Sequence, residues 1–163
     1  MDTKIIKFDL LRDGVGGGMG MLAGGDAGGD AGCGDAEEDN YNHIIDNVYV
    51  GNMLSLDELG GVGIEQIISL VKPPVSTTCI LFDDVESVDI IPYAERIYAL
   101  LDTGKRTLVH CAAGRSRSCA VVLYYIMKKH HKGFQEAYDM LEMRRGYLCI
   151  NEGFIQALKA VAF

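Results

Sequence analysis

The sequence predicts an α/β domain whose central sheet is mixed, mostly parallel and flanked by helices. Three observations carry that prediction. From about residue 42 onward, short Ile- and Val-rich runs alternate with segments of helical apolar spacing, the pattern of strands joined by crossover helices with both faces of the sheet covered. The last third of the chain reads as helices alone. The 163 residues, 48% hydrophobic and 23% charged, suffice for one such domain and are too few for two.

Taken in order, residues 1–13 carry an apolar cluster of Ile5, Ile6, Phe8, Leu10 and Leu11 between charges, in a terminal position where chains are often poorly ordered. Residues 14–40 are mostly Gly, Ala, Asp and Glu, with eleven of the chain's 20 glycines between Gly14 and Gly34. Such a stretch buries too little apolar surface to offset its conformational entropy, so residues 1–41 are expected to form a disordered extension to a domain at 42–163. Within that domain, His43–Val50 and Ile64–Val71 read as strands with a short helix at Ser55–Leu59 between them. Lys72, Pro73 and Pro74 break the run, and Thr77–Phe82 reads as a further strand. Apolar spacing at Ile90, Ala94, Ile97 and Leu101 predicts a helix, Thr107–His110 a short buried strand, and Ser116–Lys129, Phe134–Arg145 and Glu152–Ala162 three helices.

The formal net charge of −8 is unevenly spread: residues 1–46 hold ten acids and three bases, a net of −7, and the remainder is at −1. That balance argues against a general nucleic-acid binder, which needs a positive surface. The five cysteines (Cys33, Cys79, Cys111, Cys119, Cys149) form no CxxC pair and follow no secretory start, which favours reduced thiols inside a cell. No apolar run approaches the roughly 20 residues of a membrane span, and neither end carries a lipidation signature, so a soluble protein is expected.

The chemistry lies in residues 108–118, Leu-Val-His-Cys-Ala-Ala-Gly-Arg-Ser-Arg-Ser, where an apolar strand meets Cys111, five residues, Arg117 and a helix. Residues 112–117 must turn sharply, so their N–H groups converge on one centre, and Gly114 relieves the steric limits of that turn. The following helix directs its positive end to the same place. Donors and positive charge of this kind activate a thiol as a nucleophile, and the Arg117 fork suits two oxygens of a phosphoryl group. A leaving oxygen then needs an acid, for which the adjacent Asp83 and Asp84 at the end of a predicted strand are the candidates.

The spacing His110-Cys111-x-x-Gly114-x-Ser116-Arg117-Ser118 resembles the signature of the cysteine-dependent protein tyrosine phosphatase superfamily, in its small dual-specificity branch. The likeness extends over about residues 42–163. Asn47–Asn52 and Gly63–Ile68 are similar to the family's first strands, Asp84 with Asp89, Ile90 and Tyr93 to its acid loop, and Asn151–Phe154 to the start of its final helix. The resemblance implies Cys111 as nucleophile, Arg117 as phosphate-binding arginine, Asp84 as general acid and Ser118 as the hydroxyl that eases departure of the sulfur. Ala112, Ala113, Gly114, Arg115 and Ser116 would complete the phosphate cradle, with His110 and Asn151 supporting it. With no Trp in the chain, the Trp-Pro-Asp loop of the large tyrosine-specific branch is excluded. A shallow pocket open to phosphotyrosine, phosphoserine and phosphothreonine is expected.

The resulting expectation is a protein phosphatase using a phosphocysteine intermediate, with no metal or cofactor. Its partners would be phosphoproteins, a protein kinase among the candidates, with cytoplasmic and also nuclear placement and an open oligomeric state. Two alternatives stand beside it: a phosphoinositide or RNA 5′-phosphatase, for which Arg115 is the relevant residue, and a phosphoprotein-binding module without turnover. A protective disulfide from Cys111 to Cys79, Cys119 or Cys149 stays open, as does a basic surface formed by Lys128, Lys129, His130, His131, Lys132, Arg144 and Arg145.

Overall fold

The computed structural model describes residues 39–72 and 78–163. The apolar cluster of residues 1–13, the Gly-rich stretch up to residue 38 and the Pro73–Pro74 break lie outside the described residues.

Five strands form one sheet in the order β1-β2-β5-β3-β4. They are β1 (Tyr41–Ile45), β2 (Val48–Gly51), β3 (Gln66–Ser69), β4 (Thr78–Cys79) and β5 (Thr107–His110). β1 pairs antiparallel with β2 and every other pairing is parallel, so the sheet is mixed and mostly parallel. Four helices flank it: α1 (Ile91–Leu101), α2 (Arg117–His130), α3 (Phe134–Arg145) and α4 (Glu152–Ala160).

The predicted single strand His43–Val50 is instead a hairpin. Asp46 takes φ 49°, a left-handed conformation that Asp tolerates better than most residues, and the chain reverses there. The predicted strand from Thr77 narrows to Thr78–Cys79; Thr77 lies outside the described residues, Ile80 N donates to Ser69 O, and residues 81–82 continue outside the strand. Asn40 O accepts from Asn52 N, and Asp39 O accepts from buried Arg145, so residues 39–41, expected in the extension, are bonded to the end of β2 and to α3.

All four β5 residues are buried. Because side chains alternate across a strand, Val109 lies on one face of the sheet, in the main core, and Leu108 and His110 lie on the other, with no exposure. Both faces are therefore covered where the strand ends. α2 runs through the core, with every residue from Ser118 to Met127 buried. The strand and the helix that frame the 111–117 loop thus both run through the core.

Candidate active site

Cys111 follows β5 directly and is 2% exposed. Its sulfur accepts from Gly114 N at 3.2 Å and lies 3.3 Å from Ser118 Oγ on the first turn of α2. Gly114 has φ 70°, and a Cβ there would come within 2.7 Å of the Gly51 carbonyl, so only glycine lets the loop pack against the end of β2. Met53 N donates to Ala112 O at 3.0 Å from the same side. Ala112 and Ala113 are exposed at the mouth of the loop. The Arg115 guanidinium lies 5.0 Å from the centre of the Tyr147 ring, a cation–π contact at the rim.

The predicted acid reaches the loop. Ser116 Oγ donates to Asp84 Oδ1 at 2.8 Å, and Asp84 Oδ2 lies 3.6 Å from Arg117 Nε. The Ser116 hydroxyl, turned to Asp84, makes no side-chain cap on α2. Arg117 Nη1 donates to Phe82 O at 3.3 Å, while its Nε is buried without a hydrogen-bond partner among the described residues. Asp83 instead lines a neighbouring cleft of about 440 Å³ with Phe82, Tyr93 and Arg117.

His110 has no exposure, and burial pushes its pKa below the ordinary 6.5, against the opposing pull of the Cys111 carbonyl. Its Nδ1 lies 3.3 Å from Cys111 O and its Nε2 2.6 Å from Ser69 Oγ. Asn151 touches the loop through its backbone: its N–H donates to Ser116 Oγ at 3.1 Å, while its side chain caps α4 by accepting from Gly153 N.

Sequence reasoning missed three contributors. Arg145, assigned to a basic surface, is 5% exposed; its Nε donates to Gly114 O at 3.1 Å and its Nη1 to Asp39 O and Asn42 Oδ1. Gly153 comes so close to the acid loop that a Cβ would sit 2.4 Å from Glu86 O. Ser69 is the third. The remaining basic surface is largely neutralised by pairs between Lys128 and Glu95, Lys129 and Asp102, Lys132 and Glu136, and His130 and Asp46. Among the described residues no disulfide joins Cys79, Cys111, Cys119 or Cys149, and the Cys119 thiol donates to Gly114 O at 3.3 Å.

A cysteine that follows a central parallel strand, a tight loop whose Gly114 N–H meets its sulfur and an arginine opening the next helix define the class: the cysteine-dependent protein tyrosine phosphatase superfamily. Comparison with known proteins narrows it. Residues 67–162 match the dual specificity phosphatase catalytic domain. The chain is 32% identical over 123 residues to a putative tyrosine phosphatase, 123R, of Invertebrate iridescent virus 6, covering 71% of this chain and 87% of that one. It is 38% identical over 80 residues to dual specificity protein phosphatase 1B of Arabidopsis thaliana, covering 47% of this chain and 48% of the relative, about half the plant protein's length. Its fold is similar to that of the human tyrosine phosphatase-like serine/threonine/tyrosine-interacting protein, with TM-score 0.64 and 26% identity over 73% of this chain and 93% of that one. The chain belongs to the dual specificity phosphatase catalytic domain family and is a dual-specificity protein phosphatase.

Proposed function

We propose that this protein hydrolyses phosphotyrosine and phosphoserine or phosphothreonine on protein substrates through a phosphocysteine intermediate. One arrangement carries the reading: the Cys111 sulfur lies against Gly114 N and Ser118 Oγ, and Arg117, which opens the helix after the loop, has a buried Nε with no hydrogen-bond partner among the described residues. A phosphoryl oxygen supplies that partner and brings phosphorus over the sulfur.

In the first step sulfur attacks phosphorus, the S–P bond forms as the ester P–O bond breaks, and Asp84 gives its proton to the departing oxygen. In the second step Asp84 takes a proton from water as its oxygen attacks phosphorus. The S–P bond breaks, inorganic phosphate leaves, and the Ser118 hydroxyl donates to the departing sulfur. The low mouth formed by exposed Ala112 and Ala113 supports access for short and long phosphorylated side chains alike. A phosphoprotein, including a phosphorylated kinase, is the substrate class. A reducing cytoplasmic or nuclear compartment belongs to this reading, because the thiolate must stay reduced to act.

The test is hydrolysis of an aryl phosphate and of phosphotyrosyl and phosphothreonyl peptides by the wild type and by Cys111→Ser, with and without chelator. Turnover of all three by the wild type, its fall to background in Cys111→Ser and indifference to chelator are expected. Turnover retained by Cys111→Ser overturns the mechanism.

A further inference from the structure

We propose that Ser69 is a positioning residue for the active-site loop: its hydroxyl donates to Nε2 of His110 and so holds the imidazole with its proton on Nδ1, bonded to the carbonyl of Cys111. Ser69 closes β3 and His110 closes β5, and the parallel register sets them side by side. Both are without exposure, and Oγ lies 2.6 Å from Nε2, across 41 residues of sequence.

The direction of that bond follows from elimination. A ring held neutral by its burial carries one N–H. Nδ1 faces the Cys111 carbonyl at 3.3 Å, and a carbonyl oxygen only accepts, so the hydrogen is on Nδ1. Nε2 is then a bare lone pair, and the partner at 2.6 Å must be the donor. The alternative tautomer would set the Nδ1 lone pair against the carbonyl lone pairs and release the peptide that anchors the first residue of the loop. Register makes the pairing specific, since a one-residue slip of β3 would turn Ser69 to the other face.

The consequence for catalysis rests on Cys111 being the nucleophile; the tautomer does not, and the experiment separates them. Long-range proton–nitrogen correlation on the histidine rings of the wild type reads the tautomer directly, and alkylation of the Cys111 peptide by iodoacetamide near neutral pH reads the sulfur. The Nδ1–H tautomer is expected in the wild type. In Ser69→Ala, Cys111 alkylation should slow by roughly 5-fold, the worth of one buried hydrogen bond, and Ser69→Thr, which keeps the hydroxyl, should recover most of it. An Nε2–H tautomer in the wild type, or unchanged alkylation in Ser69→Ala, overturns the inference. Wild-type alkylation no faster than that of an ordinary exposed thiol would instead count against Cys111 as nucleophile and leave the tautomer result to judge Ser69.

Discussion

Gly114 sits at φ 70° with no room for a side chain: an added Cβ would lie 2.7 Å from both C and O of Gly51 and 2.8 Å from Asn52 N. Two penalties therefore fall on one substitution, a left-handed backbone in a residue with a Cβ and a clash with unyielding main chain. Gly114→Ala is expected to lower turnover by at least about 100-fold and to cost about 1–3 kcal/mol of stability, measured by aryl phosphate kinetics and urea unfolding. At the acid, geometry separates two neighbouring carboxylates. Asp84 is held by the Ser116 hydroxyl and lies against Arg117, whereas Asp83 lines the adjoining cleft. Asp84→Ala should therefore lose about 10²–10⁴-fold in kcat on substrates with poor leaving groups and much less on good ones. Asp83→Ala should behave like the wild type, and equal losses in the two variants would contradict the assignment.

At the scale of elements, the site depends on two packings that lie far from the loop in sequence. α4 meets the acid loop through Gly153, where a Cβ would be 2.4 Å from Glu86 O and 2.7 Å from Glu86 Cα. Gly153→Ala must push the acid loop off the helix, carrying Asp84 with it. Its expected signature is that of a displaced acid, a kcat loss concentrated on poor leaving groups, with the Cys111 alkylation rate kept. α3 contributes Arg145, which ties Gly114 O to the entry of β1 through Asp39 O and Asn42 Oδ1. Arg145→Met leaves the buried Gly114 carbonyl and the part-buried acceptors on Asp39 and Asn42 without this donor and should cost about 2–4 kcal/mol in urea unfolding. Arg144, one residue away and exposed, should tolerate the same change within about 0.5 kcal/mol.

For the whole molecule, the neutral state of His110 couples folding to pH. Its pKa in the fold lies below the ordinary 6.5, so the unfolded chain takes up that proton first and stability falls as pH drops through about 6.5. The urea midpoint of the wild type should therefore decline between mildly alkaline and mildly acidic pH more steeply than that of His110→Asn; parallel declines would mean that His110 titrates alike in both states. Of the formal charge of −8, −7 lies in residues 1–46 and −1 in the remainder. Several helix-end cations are paired with acids: Lys128 with Glu95, Lys129 with Asp102, His130 with Asp46 and Lys132 with Glu136.

Much of the architecture was legible in the sequence, and the reasons differ by region. The boundaries of β5 and α3 were read correctly because an uninterrupted apolar run and a helical period leave few alternatives. The His43–Val50 run was misread because a hairpin turned by Asp46 contains no glycine and shows the same Ile and Val pattern as a single strand. Within the site, residues 110–118 are contiguous, so the run from β5 through Cys111 and Gly114 to Ser118 on the first turn of α2 was legible from spacing alone.

Ser69, Arg145, Gly51 and Gly153 were decided by tertiary structure alone. A serine at a strand end, an arginine at a helix end and a glycine at a turn have the same local character whether they face water or a loop. Only strand register and helix packing bring them against the loop, where a buried polar group must find a partner and a backbone contact leaves no space for a Cβ.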